Sequence, residues 1–340
     1  MCYRGLRTVA VDGTTLHVPD EPQIIHRYPK RSGEHREFGY PLLRLLVLVE
    51  CGTRALLAAA FGPDNEGELG LAGRLLGSLD ATMLVLADAG FDAATFLNQV
   101  TGTGARFLVR GDANRRPTIT QRLPDGSYLA RIGYRILPTL LPVRIVEATV
   151  TITLADGTER TEPWRLITNL LDHTRHPAME LVHLYHQRWQ AETTYASIKH
   201  TILDGRVLRS RSTGGLEQEI WAVLTTYQAL IRAAADATYT RPGLDMDRIS
   251  FTVLASTAAD TITTATAVIP QGPADLLGRI GHAVLGNLLP VRRSQRTKPR
   301  TRKSRNTKYQ ARTGPHLTQT YTIHTTITIF EKGLAARPRR

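Results

Sequence analysis

Apolar residues come in short aliphatic and β-branched runs over the first 110 positions, in alternation through the middle of the chain, and at helical spacing after Pro177. The first run, Leu6 to Val11, predicts a strand that ends at the turn pair Asp12-Gly13. A polar, proline-containing segment follows from Pro19 to Pro41. The runs "LLRLLVLVE" and "RALLAAAFG" flank Cys51-Gly52-Thr53 and predict a hairpin of two buried strands. Glu66 to Leu79 has helical spacing, "MLVLADAGF" reads as a buried strand with an abrupt polar end, Asp92 to Val100 as a helix, and "ARFLVRG" as a strand.

Strand, hairpin, helix, strand, helix, strand is the order of an α/β layer, with helices packed on a mixed sheet. Between about Pro117 and Thr168 the pattern becomes β-branched alternation, as in "VRIVEATVTITLADGTER", which predicts an all-β insertion. Helices resume at Pro177, a residue suited to a first helical turn, and run on to His200. Further helices are expected over Leu216 to Ala237, Met246 to Thr261 and Pro273 to Leu289. The chain therefore divides into two parts of an α/β core at 1–110 and 171–240, a β-rich insertion at 111–170, a helical C-terminal region at 241–290 and a tail at 291–340.

Charge narrows the choice of partner. The formal net charge is +13, which favours a polyanion. No run of about 18 apolar residues offers a membrane span, and "MCYRGLRTVAVDG" lacks the apolar core of a secretory signal, so an intracellular protein with no membrane partner is expected. Residues 292 to 312 carry seven Arg and three Lys with no acid. Cys2 and Cys51 are too few for a disulfide framework or a zinc site, and neither GxxxxGK[ST] nor HExxH occurs.

The candidate chemistry lies in "YHQRWQAETTYASIKH", Tyr185 to His200. At about 100° per residue, Tyr185, Arg188, Glu192 and Lys199 fall within roughly 60° of arc, beside an apolar stripe of Leu184, Ala191 and Ile198. A solvated face with an Arg188–Glu192 pair would look the same, and would contribute a few tenths of a kcal/mol. Asp12 and Asp88 each follow a predicted buried strand, where Asp12 could equally belong to a turn and Asp88 to a helix cap. Taken together, three acids on two strands and a helix can hold two divalent metals about 3.5–4 Å apart, and oxygen ligands suit Mg²⁺ or Mn²⁺.

The spacing Tyr185-(2)-Arg188-(3)-Glu192-(6)-Lys199 resembles the Y-(2)-R-(3)-E-(6)-K signature of DDE transposases of the insertion sequence 4 family. "VDGTTL" around Asp12 and "LADAGF" around Asp88 resemble that family's two other motifs, in the same order, and "WRLITNLLD" its lead-in to the helix. The resemblance implies a ribonuclease-H-like core, with Asp12, Asp88 and Glu192 as catalytic metal ligands for two Mg²⁺ or Mn²⁺ ions. It implies that Tyr185, Arg188 and Lys199 contact phosphates of double-stranded DNA. It also implies a homodimer in the DNA complex and a place in the bacterial cytoplasm. Trp164 in "EPWRLIT" stands where relatives that use a DNA hairpin stack a tryptophan on a flipped base; packing at a strand end is the alternative.

Family members carry a DNA-binding domain ahead of the first aspartate, whereas eleven residues precede Asp12 here, so the expectation is a chain without that domain. The basic segment then either supplies nonspecific phosphate contacts or is a solvated tail. Three functions follow: a cut-and-paste transposase, a DNA-binding remnant of one, or another metal nuclease on the same fold.

Overall fold

In a computed structural model of the chain, the structure describes residues 1–32, 37–112, 115–133, 140–154, 159–267, 276–290, 295–297 and 321–329. Three antiparallel strands come first: β1 (Leu6–His17), β2 (Leu42–Glu50) and β3 (Leu56–Pro63). Helix α1 (Glu68–Gly73) leads to β4 (Met83–Ala87), and α2 (Ala94–Gly102) leads to β5 (Arg106–Arg110). β4 lies parallel to β1, and β5 parallel to β4. The order β3-β2-β1-β4-β5, three antiparallel strands and then two parallel ones, is the expected ribonuclease-H-like sheet.

Two local expectations need correction. β1 does not stop at Asp12-Gly13; it runs on to His17, with Asp12 opposite Val47 and Gly13 opposite Leu46. A turn pair makes a turn only where the chain reverses, and here Thr14, Thr15 and Leu16 continue the ladder along the full length of β2. The helix expected over Glu66 to Leu79 is only six residues long, followed by a 3₁₀ turn at Leu76–Ser78. Gly70, Gly73 and Gly77 fall in that window, and a helical glycine costs about 0.8–1 kcal/mol relative to alanine.

The β-rich stretch forms β6 (Thr118–Arg122), β7 (Tyr128–Ile132), β8 (Leu141–Leu154) and β9 (Glu159–Thr168). It extends the same sheet, because β9 pairs antiparallel with β5 and β8 with β9. α3 (Ala178–Tyr185), α4 (Trp189–Ala196), α5 (Thr213–Tyr239), α6 (Phe251–Ala267) and α7 (Leu276–Gly286) follow. Residues 291–340 are not wholly a tail: β10 (Gln295–Thr297) pairs with β11 (Tyr321–Ile329), and β11 with β8, making twelve strands with the short Cys2–Tyr3. The alternating sequence "YTIHTTITI" accounts for that return. The rest of the basic segment 292–312 lies outside the described residues, as do the first residues of the helix expected from Pro273.

Side-chain alternation splits the core into two layers. Ala10, Leu45, Val47 and Leu86 face Leu181, Ala191, Ile198 and Ile220 of the long helical half. Val9, Val11, Leu46 and Val85 face Leu71 of α1 and Leu97 of α2. Burying each such aliphatic side chain is worth about 1.5–3 kcal/mol, so the sheet is held from both sides. Among the described residues, no helix is long and apolar enough to cross a membrane.

One polar clamp fixes the β-rich stretch to the helical half. Arg144 on β8 is fully buried and donates to Ser127 Oγ (2.7 Å), to the His176 carbonyl (2.6 Å) and to the Asp125 carboxylate. Asp125 in turn accepts from the Ala178 amide at the start of α3. Arg144→Met is expected to cost about 3–5 kcal/mol, the usual loss when one partner of a buried ion pair is removed. Urea unfolding followed by circular dichroism would measure it, and a loss below 1 kcal/mol would mean that the clamp contributes little.

Candidate active site

The helical stretch that carries the signature is not uniform. α3 ends at Tyr185, a 3₁₀ turn covers His186–Arg188, α4 follows, and a π-helical turn runs over Ser197–Ile202. The 3₁₀ turn is wound tighter than an α-helix and the π turn looser, so a wheel drawn at a constant 100° misplaces the side chains on either side. The four residues expected on one face reach different points along the sheet end.

Arg188 reaches furthest into the site. Its Nη1 donates to Asp12 Oδ2 at 3.3 Å and its Nη2 to Glu192 Oε1 at 2.9 Å, with the side chain only 15% exposed. A single guanidinium therefore joins Asp12 on β1, 176 positions away from Arg188 in the chain, to Glu192 a turn further along α4. The Arg188–Glu192 pair, for which a solvated i,i+4 bridge was the alternative reading, is half-buried and has a third member.

Burial pushes the Asp12 carboxyl up to about 6; Arg188 and the Gly13 amide (2.9 Å to Oδ1) pull it down, while Asp88 and Glu192 push it up further. Asp88 follows β4 directly and accepts from the Gly90 amide at 2.8 Å, so it caps the 3₁₀ turn Ala89–Phe91 rather than α2. The structure thus brings Asp12, Glu192 and Arg188 into contact and sets Asp88 within electrostatic reach of Asp12. Among the described residues, no three His, Cys, Asp or Glu side chains are drawn together closely enough to hold an ion. With Arg188 lodged between two of the acids, the guanidinium supplies the positive charge they need. The donor chemistry still fits a hard divalent cation, since all three groups are carboxylates.

Tyr185 is buried, donates to the Ala87 carbonyl at 3.0 Å, and has its phenol pushed up to about 12 by burial. It thereby fixes the end of β4 just before Asp88. The half-buried Lys199 donates to Thr14 Oγ1 at 3.0 Å, two residues beyond Asp12, and burial lowers its pKa. Trp164 is 9% exposed and packed by Tyr185 (5.4 Å, edge-on), His186 (5.1 Å) and the Arg110 guanidinium (5.4 Å from the ring centre). Those neighbours cover the ring on which a base would stack.

Two residues of the site were not singled out from sequence. Tyr195, one turn past Glu192, donates to the Asp12 carbonyl and accepts from the Val47 amide at 3.1 Å, locking α4 against β1 and β2. Its signal was the i,i+3 spacing from Glu192. Glu68 on α1 reaches Gly13 from the opposite layer: a Cβ at Gly13 would lie 2.6 Å from Glu68 Oε1, and one at Gly90 3.3 Å from Glu68 Oε2. Nothing in the local sequence around Glu68 announces this.

The family described as Transposase DDE domain matches residues 3–229. Transposase InsG for insertion sequence element IS4, from Escherichia coli (strain K12), is 27% identical over 315 residues, covering 90% of this chain and 69% of that protein. Putative transposase InsZ of the same organism is 24% identical over 176 residues, covering 52% of this chain and 56% of that protein. Among solved structures, a piggyBac transposase synaptic complex with hairpin DNA superposes with a TM-score of 0.46 at 10% identity, over 84% of this chain and 57% of that one.

Proposed function

Since this chain belongs to the transposase DDE domain family, we propose that it is the transposase of an insertion element, cutting and joining phosphodiesters of double-stranded DNA. The observation that carries the reading is the guanidinium of Arg188 between Asp12 and Glu192, at the end of the sheet where Asp88 also stands. Glu192 belongs to a helix that nothing but tertiary packing brings to β1. A purely structural ion pair would not require a third acid to follow the neighbouring parallel strand.

In this reading Asp12, Asp88 and Glu192 hold divalent cations, Mg²⁺ or Mn²⁺ as a pair. Bound there, such ions supply Lewis-acid charge to the attacking and leaving oxygens of the phosphodiester. Arg188, released from the acids when they are otherwise neutralised, presents a planar fork suited to two phosphate oxygens. Lys199 offers a point charge beside Thr14. Tyr185 and Tyr195 act through others, the first by holding the strand end before Asp88 and the second by holding the backbone at Asp12. Trp164 serves in packing, with its ring covered by Arg110, Tyr185 and His186. Two copies of the chain, one at each element end in the bacterial cytoplasm, complete the proposal on the strength of the family resemblance.

The reading is tested with supercoiled plasmid carrying the element ends. Strand cleavage is expected with Mg²⁺ or Mn²⁺ and none in EDTA; cleavage that persists in EDTA would contradict it. The charge of +13 predicts in addition that DNA affinity is strongly salt-sensitive. A protein that neutralises about six to ten phosphates loses roughly 10³–10⁵ in affinity between 50 and 200 mM salt. Fluorescence anisotropy over that range would measure the slope, and a flat response would argue against broad phosphate contact.

A further inference from the structure

The sheet ends on β3, and among the described residues no strand lies beyond it. Such an edge offers its outward N–H and C=O groups to any other strand, and proteins usually guard it with lysine, proline or a bulge. β3 is bulged opposite Leu48 and Val49 and ends at Pro63, but from Leu56 to Gly62, "LLAAAFG", it carries no charge. Side chains meet two of its outward groups: the Leu56 amide donates to Gln228 Oε1 at 2.8 Å, and the Phe61 carbonyl accepts from Arg74 Nη1 at 3.2 Å. Alternation turns Ala59 outward together with Phe61. The Val47 amide opposite Ala59 agrees, since it donates to the Tyr195 hydroxyl and not to β3.

An apolar groove runs beside this edge, between β3 and α5, lined by Leu56, Ala59, Trp221, Leu224 and Gln228. Trp221 lies edge-on to Phe61 at 5.6 Å and is 49% exposed, a large apolar surface left to water. The charged residues of the groove are Arg232 and Asp236, one of each sign. In a chain of net charge +13, this face therefore offers a polyanion no net attraction.

Its charges suit a second copy of the same chain. A strand paired antiparallel with its own copy has a two-fold axis perpendicular to the sheet, which keeps both α5 helices on one face. Glu217 and Arg232 are exposed and stand on either side of Trp221 and Gln228 along α5, and at about 100° per residue they fall within about 60° of each other. Trp221 touches Phe61 and Gln228 touches Leu56, so an axis at Ala59 passes close to the middle of this stretch of α5. Each Arg232 is thereby brought toward Glu217 of the other copy. Its bond to Asp236 within α5 is loose, at 3.7 Å with the arginine 81% exposed, and does not hold it back.

We propose that β3 pairs antiparallel with β3 of a second copy about a two-fold axis at Ala59, with Arg232 facing Glu217 across it, so that one sheet runs through a dimer formed before DNA binds. The inference gives a surface to the two-copy arrangement proposed above and rests on it. Three consecutive alanines, Ala58 to Ala60, leave room for the second backbone.

The test is sedimentation velocity of the full chain without DNA or divalent cation. The native chain is expected to dimerise reversibly. Arg232→Glu sets like charges across the axis and should weaken the dimer at least tenfold, about 1.4 kcal/mol. Glu217→Arg together with Arg232→Glu should restore it to within about threefold. Both positions are exposed, so melting temperatures should stay near native. Ala59→Pro removes an outward N–H, a change that edge strands tolerate, and should leave a folded monomer. A native chain still monomeric at about 50 µM, a dimer unmoved by Arg232→Glu, or a double variant no tighter than the single one would overturn the proposal. Amide exchange on the native chain checks it without variants: the Ala59 amide should exchange more slowly as protein concentration rises. A rate independent of concentration, or protection that appears only on adding duplex DNA, would overturn it as well. A monomer that still cleaves element ends would remove this interface and leave the transposase reading standing.

Discussion

Glu192→Gln is expected to lower Mg²⁺-dependent DNA cleavage by roughly 10³-fold or more while leaving DNA affinity within a few fold of native. The estimate comes from the several kcal/mol that a cation supplies to a developing phosphoryl charge, at 1.36 kcal/mol per factor of ten. Affinity should survive because the substitution removes a negative group and no phosphate contact. The fold should survive too, since the glutamine amide can still accept from Arg188, which keeps its second bond to Asp12. Single-turnover cleavage and anisotropy on the same preparation separate the two effects. Equal loss of cleavage and binding would point to a damaged fold and would remove Glu192 from the chemistry.

Arg188→Met should have the second largest effect, and an opposite response to cations. In the native chain the guanidinium lies between two carboxylates and is 15% exposed. Without it, Asp12 and Glu192 lose the cation that joins them. Breaking a buried pair costs about 3–5 kcal/mol, but a buried acid can take up a proton instead of keeping its charge, so a loss nearer 2–3 kcal/mol is expected. For a chain of 340 residues that is a drop of roughly 3–4 °C in Tm. Mn²⁺ should then restore more stability to the variant than it adds to the native protein, because no guanidinium competes for the acids; at a hundred times Kd a bound ion contributes about 2.7 kcal/mol. Differential scanning fluorimetry with and without Mn²⁺ reads this directly. Equal shifts in the two proteins would mean that Arg188 and the cation do not share a site.

Much of the sheet could be read from apolar runs. The hairpin around Cys51 and the strand before Asp88 needed only buried aliphatic segments bounded by polar turns, and both occur close to the expected limits. Asp12 was misjudged in its local setting because the pair Asp-Gly signals a turn by composition, whereas the partner strand β2 decides whether the chain turns. The C-terminal strand Tyr321–Ile329 escaped because its partner, β8, lies more than 160 positions earlier and a basic flank dominates the local composition.

The site was legible in its residue types and less so in its geometry. Spacing alone placed Arg188 beside Glu192, and the structure adds the contact with Asp12 that spacing cannot carry. The 3₁₀ and π turns around α4 leave no mark in a hydrophobic pattern, yet they send Tyr185 to the Ala87 carbonyl and Lys199 to Thr14. Trp164 illustrates the converse, since a recognisable position in the sequence turns out to be packed between side chains. Glu68 was invisible because its only sign is the absence of side chains at two glycines remote in sequence.

The position of a bound divalent cation is the most direct test of Asp12, Asp88 and Glu192 as its ligands. Crystals of the protein with DNA carrying an element end, grown with Mn²⁺ and measured at the manganese absorption edge, would locate it. Anomalous peaks ligated by Asp12, Asp88 and Glu192 are expected, with the Arg188 guanidinium moved from between the acids onto a phosphate. Manganese bound elsewhere, with Arg188 still joining Asp12 to Glu192, would contradict it.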